Sequence, residues 1–377
     1  MFVLSEEHIA VRDMAQAFAD ERIAPHALQW DADKHFPLDV LREACGLGMG
    51  TIYVREENGG AGMTRLHAAL IFEALATGCP CTASFLSIHN MVAWVVDRYG
   101  SADMQSRYLK ALASGEKLAS YCLTEPGAGS DAAALKTRAT RTNDGYVLNG
   151  VKQFISGAGA TDVYLVMART GVEGAAGVSA FLIDKDAKGL SFGAEERKMG
   201  WHIQPTRQVI MDDVHVGAEN LVGEEGIGFK IAMAGLDGGR LNIGACSIGG
   251  GEAALSKALV YMKDRKACGK SLDQFQALQF RLADIATALE TARAILWRAA
   301  SALDAKSPDA TKLCAIAKRV ATDSGFQAAN DALQLFGGYG YLADYGVEKI
   351  VRDLRVHQIL EGTNEIMRLI VARGLAA

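Results

Sequence analysis

The sequence predicts an α+β fold in three segments: an N-terminal helical domain over 1–118, a middle antiparallel β-domain over 119–226, and a C-terminal four-helix bundle over 227–377. Three observations predict it. Apolar residues recur at helical spacing before residue 118 and again after Gly228. Short β-type runs separated by Gly, Asn and Asp clusters fill the middle. Leu278, Leu282, Ile285, Leu289, Ala292, Leu296, Ala299 and Leu303 step by fours and threes into one continuous apolar seam, as in a helix bundle.

In chain order, Ser5 is placed to cap a first helix that carries Ile9, Met14 and Phe18. Pro25 and Pro37 punctuate, Gly46, Gly48 and Gly50 mark a turn, and 56–62 is a loop by composition. Two further helices are expected over 66–76 and 83–99. The runs 145–150, 163–168, 179–184 and 208–211 read as strands, with Asn143-Asp144-Gly145 as a hairpin turn. Pro308 ends the seam helix, and Leu313, Ile316 and Val320 open its partner. Small residues recur along these last helices and permit close helix–helix approach.

At 377 residues the chain suits two or three packed units, and with 50% hydrophobic and 22% charged residues it supports a large core. A net charge of −5 and a pI of 5.9 argue against broad nucleic-acid or anionic-membrane binding. No apolar run is long and uncharged enough to insert in a membrane. Met1-Phe2-Val3-Leu4-Ser5 leads straight into an amphipathic pattern without a basic or Arg-rich leader, and the seven cysteines read as reduced thiols, so a cytoplasmic location is expected. Cys79-Pro80-Cys81 has no second pair and makes a poor zinc site, so no metal is expected. Gly269-Lys270-Ser271 ends like a phosphate loop, but Asp264 occupies the position of the required glycine. Gly46, Gly48 and Gly50 lack dinucleotide spacing, and there is no His-Glu-x-x-His or Gly-x-Ser-x-Gly.

The most informative stretch is 121–131, Tyr-Cys-Leu-Thr-Glu-Pro-Gly-Ala-Gly-Ser-Asp. An apolar run stops at Thr124-Glu125-Pro126; Gly127, Ala128 and Gly129 then offer bare N–H groups beside the Thr124 and Ser130 hydroxyls. Such a turn can hold an electron-rich ring edge or a phosphate, with glycines that approach a ligand closely and adopt positive φ. Taken alone it is equally a tight polar turn. The run resembles the flavin-binding signature of the acyl-CoA dehydrogenases, and 358–365, Gln-Ile-Leu-Glu-Gly-Thr-Asn-Glu, resembles their catalytic loop. The resemblance extends over essentially the whole chain and implies the acyl-CoA dehydrogenase fold, with FAD between the β-domain and the bundle.

It also implies the chemistry. An α-proton leaves an acyl-CoA thioester to a carboxylate while the β-hydrogen departs as hydride to the flavin. Glu361 matches the base; the helix position that serves in some relatives is Asp237-Gly238-Gly239-Arg240 here, with no Glu. Without the resemblance Glu361 is equally a surface residue capping the next helix. Tyr121, Leu123, Thr124, Gly129 and Ser130 match residues around the flavin ring. Phe154-Ile155-Ser156 matches the strand over its outer face, with Phe154 where many relatives have Trp. Arg265 matches the Arg that reaches the pyrophosphate from a second subunit. Phe275, Gln276 and Gln334-Leu335-Phe336-Gly337-Gly338 match the remaining contacts there, and Thr363-Asn364-Glu365 matches the adenosine end. Cys268 replaces a common aromatic. For the CoA ester, Ser130, Asp237, Gly238, Gly239, Arg240, Glu361, Gly362 and Arg373 match substrate positions; Asp237 and Arg240 are also spaced for an intrahelical ion pair.

Within the family, Leu360 (Tyr in straight-chain relatives) and Gly239, taken as leaving room beside the acyl group, imply a short branched substrate, isobutyryl-CoA. The alternatives are 2-methylbutyryl-CoA and short straight chains, since one methyl is worth only about 1–3 kcal/mol in an apolar pocket. The implied acceptor is electron-transfer flavoprotein, and the implied assembly a homotetramer, a dimer of dimers. An acyl-CoA oxidase or a non-catalytic acyl-CoA-binding protein on the same fold are the rival readings.

Overall fold

The computed structural model describes residues 4–376. The N-terminal part holds α1 (Glu6–Phe18), continued by a wider turn over Ala19–Ile23, then α2 (Ala27–Asp33), α3 (Leu38–Gly46), α4 (Arg65–Gly78), α5 (Pro80–Tyr99) and α6 (Ala102–Ser114). Their starts are chemically marked. The Ser5 and Thr64 hydroxyls accept from the backbone N–H of His8 and His67 at 3.3 Å each, capping α1 and α4. Cys79-Pro80 opens α5 with proline at the first helical position, where its missing N–H is harmless.

The middle of the chain forms β1 (Ala119–Cys122), β2 (Arg138–Arg141), β3 (Gly145–Ser156), β4 (Val163–Arg169), β5 (Val178–Asp184), β6 (Leu190–Phe192), β7 (Thr206–Gly217) and β8 (Leu221–Val222). They make one sheet in the order β6-β7-β3-β2-β4-β5-β8, with β1 pairing β4. The hairpin at Asn143-Asp144-Gly145 joins β2 to β3 in the register Arg141↔Tyr146. The sheet is not purely antiparallel as expected: β1 runs parallel to β4, Ala119↔Val163 through Cys122↔Val166. A parallel pair needs a long crossover, and the β2–β3 hairpin lies within it. β4 is an unbroken apolar run because both its faces are buried. Val163, Leu165 and Met167 pack toward α5, α6 and the start of the following helix, while Tyr164, Val166 and Ala168 pack toward β3 and β7.

After β8 come α7 (Gly228–Asp264), a small hairpin of β9 (Lys266–Ala267) and β10 (Lys270–Ser271), α8 (Gln276–Asp304), α9 (Ala310–Phe336), α10 (Val347–Arg355) and α11 (Asn364–Ala376). The seam holds: Ile285, Leu289, Ala292, Leu296 and Ala299 are buried, and their cluster includes Leu313, Ala317 and Ala321 of α9 and Phe72 and Leu75 of α4. The N- and C-terminal helices therefore share one core.

The axis of that core is α7, 37 residues or about 55 Å long. Leu241 through Gly251 are all buried. It is apolar or bare on every side because helices crowd it. A Cβ on Gly249 would lie 2.0 Å from the Glu73 carbonyl of α4, and one on Gly325 of α9 would lie 2.2 Å from the Ser247 carbonyl of α7. Glycine inside a helix costs about 0.5–1 kcal/mol, which the closer packing offsets. Gly325→Ala is accordingly expected to push α9 off α7 and destabilise the fold by about 1–3 kcal/mol. Denaturant midpoints of the wild type and the variant measure this; equal midpoints would mean that the contact is not tight. Among the described residues no helix is long and apolar enough to cross a membrane.

Candidate active site

β1 ends in a turn closed by reciprocal backbone bonds between Glu125 and Ala128, at 3.0 and 3.1 Å. Beneath it the buried Glu125 carboxylate accepts from the backbone N–H of Lys136 at 2.6 Å and of Thr137 at 2.9 Å, and from Lys152 Nζ at 2.7 Å. Lys152 is fully buried on β3 and also donates to the Leu123 carbonyl at 3.1 Å. Above this staple Gly127, Gly129 and Ser130 stand exposed, and a Cβ on either glycine would meet nothing within 4 Å. Neither glycine has the positive φ expected for it. Their bareness opens the backbone to a ligand rather than enabling a special turn.

Gln153 N–H donates to the Thr124 carbonyl at 2.8 Å, tying that turn to an irregularity in β3. There the register with β7 slips between Lys152↔Val209 and Ile155↔Arg207, one extra residue on β3. The bulge puts Phe154 at φ 60°, and the residue is 63% exposed. A large aromatic in a left-handed conformation and facing outward is unusual unless something covers it. Ile155 is buried and Ser156 half-buried beside it, the Ser156 carbonyl accepting from Ser120 Oγ at 2.6 Å.

Glu361 follows the short turn Val356–Gln358 and precedes α11, at φ 55°, with Gly362 at φ 87°. Its Oε2 is buried and has no hydrogen-bond partner among the described residues. A Cβ on Gly239 would lie 2.5 Å from that oxygen. The space at Gly239, read from sequence as room for an acyl branch, is filled by the carboxylate instead. Burial raises the Glu361 carboxyl to about 7, against the opposing pull of Arg240 and Lys318. Half-buried Tyr121 and Tyr53 have their hydroxyls pushed up by desolvation, with the Glu361 charge adding to it; Tyr121 donates to the Ala232 carbonyl of α7 at 3.2 Å. Half-buried Leu360 precedes the carboxylate.

Arg240 is buried, pairs with Asp237 at 2.7 Å and donates to the Glu361 carbonyl at 3.3 Å. The ion pair open as an alternative in the sequence is present, and Asp237 also accepts from Thr311 Oγ1 at 2.7 Å. Arg240 thus braces the loop and is not a free cation for substrate. Gly238 faces the guanidinium of Arg65, 2.2 Å from where a Cβ would sit. Arg373 stands exposed on the last turn of α11.

The other expected residues separate into two groups. Arg265, Gln334, Leu335, Phe336, Gly337 and Gly338 line one open cleft of about 700 Å³, where the Arg265 guanidinium lies 5.2 Å from the Tyr339 ring centre and Phe336 stacks on Tyr261 at 4.2 Å. Gln276 is exposed at the adjoining start of α8, Phe275 carries Lys270 Nζ 4.2 Å over its ring, and Cys268 is exposed in the β9–β10 turn at φ 49°. Thr363, by contrast, caps α11, its hydroxyl accepting from Ile366 N–H at 3.3 Å, and Glu365 pairs with Arg368 at 3.3 Å. Asn364 departs from the expectation of an adenosine contact. It is buried and bonded to Lys318 at 2.9 Å, Thr322 at 3.0 Å and Asp323 at 2.7 Å, so it presents no polar edge outward.

Several site residues carried no motif. Arg65, 8% exposed, lies 3.6 Å from the ring centre of Tyr53 and 5.1 Å from that of Trp94, and Tyr53 accepts from Asn242 at 3.0 Å. Lys152, followed by Gln153, and Lys318, followed by Arg319, gave no sequence signal of their burial.

Three domain profiles match the chain: acyl-CoA dehydrogenase N-terminal domain over 5–116, middle domain over 120–214, and C-terminal domain over 226–376. The chain belongs to the acyl-CoA dehydrogenase family. It is 52% identical over 374 residues to a mitochondrial isobutyryl-CoA dehydrogenase of Dictyostelium discoideum, covering 99% of this chain and 90% of that one. The butyryl-CoA dehydrogenase of Megasphaera elsdenii superposes with a TM-score of 0.97 at 38% identity, covering 100% of both chains. The FAD complex of PigA superposes with a TM-score of 0.96 at 30% identity, over 100% of this chain and 99% of that one. FAD is the cofactor of the family, and the residues of this dehydrogenase fit it. The bare Gly127 and Gly129 backbone with the Thr124 and Ser130 hydroxyls suits a ring edge, the outward Phe154 a ring face, and Arg265 with the open Gly337-Gly338 backbone a phosphate end.

The Gly239 contact gives a test of the dehydrogenase. Gly239→Ala is expected to displace the Glu361 carboxylate and lower kcat by about 10²-fold, the order expected from a misplacement near 1 Å. Branched and straight acyl-CoAs should lose alike. A loss confined to branched substrates would restore Gly239 to the acyl pocket.

Proposed function

We propose that this flavoenzyme converts isobutyryl-CoA to methacrylyl-CoA, with Glu361 as the base. The observation that carries the assignment of Glu361 is its buried, unpartnered Oε2 set against the bare Cα of Gly239. A carboxyl with a pKa of about 7 is ionised enough at neutral pH to accept a proton, and basic enough to hold it. Bound FAD supplies the oxidising ring that accepts the β-hydride. The protein's own groups do the rest. Glu361 takes the α-proton as the C–H electron pair forms the new double bond. Arg240 fixes the Glu361 carbonyl, and the hydroxyls of Tyr121 and Tyr53 lie within the field of the carboxylate. Ser130 and Arg373, both exposed, are the residues assigned to the CoA portion.

The branched substrate is supported by the half-identical relative named for isobutyryl-CoA and by Leu360 beside the base. The product would then belong to valine breakdown, with electrons passing to electron-transfer flavoprotein. The Megasphaera relative supports the second reading, a short straight-chain substrate. Arg265, Gln334 and Gly338 on an open cleft, near exposed Tyr341 and Leu342, support an assembly in which a second subunit closes over the cofactor, within a homotetramer. Seven free cysteines, six of them buried, favour a reducing compartment such as the cytoplasm.

Glu361→Gln should retain FAD and fold while slowing flavin bleaching by substrate about 10²–10⁴-fold; bleaching at the native rate would place the base elsewhere. In the wild type the bleaching rate should rise with pH through about 7, since only the deprotonated carboxyl accepts the proton. A panel of acyl-CoAs tests the substrate. Isobutyryl-CoA should show the highest kcat/KM, and a preference for butyryl-CoA of about tenfold, or 1.4 kcal/mol, would select the straight-chain reading.

A further inference from the structure

Lys318 has no part in the scheme above. It lies on α9 and is fully buried, and its two hydrogen bonds go to the Gly362 carbonyl and to Asn364 Oδ1, both at 2.9 Å. Neither acceptor is charged. Burying an ammonium on neutral partners is expensive, so its position calls for a return. Gly362 is the second of two consecutive left-handed residues, and the first is Glu361 itself. Arg240, from α7, holds the carbonyl of the first; Lys318, from α9, holds the carbonyl of the second. Asn364, which orients the ammonium, is in turn fixed by Thr322 and Asp323.

We propose that Lys318 is a positioning residue for the base: it clamps the Gly362 carbonyl and so maintains the left-handed turn that aims the Glu361 carboxylate at Gly239. The inference rests on the assignment of Glu361 as base. A second consequence follows from charge. Glu361 faces Arg240 on α7, Lys318 on α9, Tyr121 on β1 and Tyr53 before α4. Lys318 in turn faces Glu361, Arg240, Asp323 and Glu365, and the buried imidazole of His357 lies within its field, held neutral by burial first. Burial lowers the Lys318 ammonium to about 8, with Glu361 the largest opposing pull, so it is charged at neutral pH. Its positive charge favours ionised Glu361, and removing it moves the Glu361 titration upward.

The test is the pH profile of kcat/KM for isobutyryl-CoA in FAD-loaded Lys318→Met and Lys318→Arg. In Lys318→Met the acid limb should move up by about one pH unit, which alone makes kcat/KM about fivefold lower at pH 7, and the released turn should lower the plateau above the limb as well. Lys318→Arg, which keeps the charge, should retain the native limb. A folded, FAD-loaded Lys318→Met with the native limb overturns the proposal, since a merely structural lysine would change stability without moving that limb. Should Lys318→Met fail to fold, Lys318→Gln, which keeps a donor for the Gly362 carbonyl without the charge, should shift the limb the same way; an unmoved limb there counts equally against it. Glu361→Gln separates the two readings. If it is inactive while Lys318→Met titrates natively, only the clamp fails; if it bleaches normally, the base assignment fails first.

Discussion

Everything in this molecule depends on how closely other elements approach α7. Where α4 and α9 cross it, carbonyl oxygens sit within about a bond-length or two of where side chains would start, at Gly249 and Gly325. About three turns before Gly249 along the same helix, Gly238 and Gly239 admit the Arg65 guanidinium and the Glu361 carboxylate. One stretch of missing side chains therefore sets both the packing of the core and the position of the candidate base. The core alone would tolerate alanine with repacking at some of these positions. A carboxylate aimed at a reacting carbon tolerates much less, because its position enters the rate directly.

Two glutamates with buried carboxylate oxygens show how environment divides labour between identical side chains. Glu125 is also pushed up by burial, but Lys152 and the N–H groups of Thr137 and Lys136 reverse the effect, and its carboxyl ends below the usual range. Its contribution to stability is thus present at neutral pH and is lost as the solution is acidified through that depressed pKa. Glu361 is left without a partner on Oε2 and ends at about 7. The first serves as a staple beneath the 124–130 turn, the second as a group able to exchange a proton. Hydrogen-bond supply makes the difference.

The local features were legible in the sequence because they are local. The seam from Leu278 to Leu303, the caps at Ser5 and the turn at Asn143-Asp144-Gly145 each rest on residues within a few positions of one another. Glu361 was legible only because a long motif surrounds it. What stayed hidden is long-range: β1 and β4 pair in parallel across a crossover that a four-residue and a seven-residue strand cannot announce, and Lys152 meets Glu125 from the far side of a hairpin. Asn364 was misplaced for the same reason. Its motif neighbours face outward, but its side chain turns in toward α9, 42 positions away at Thr322. Gly239 read as empty space because a sequence does not show what occupies the space a glycine leaves.

Phe154 and Glu361, the residues proposed to meet the flavin face and the α-carbon, share a backbone state that side-chain-bearing residues seldom adopt, φ 60° and φ 55°. Left-handed geometry costs such residues about 1–3 kcal/mol, so each must be held by its surroundings. At Phe154 the restraint is the sheet: β7 on one side and the Gln153–Thr124 bond on the other leave the extra residue no extended alternative. At Glu361 no sheet is available. The turn is held by cations from two helices on two successive carbonyls. A hydrogen-bonded ladder can fix a bulge with neutral groups, whereas a loop between short helices has few neutral donors to offer. Buried charge is the remaining means of holding such a turn, which accounts for Arg240 and Lys318 lying where an apolar core would otherwise exclude them.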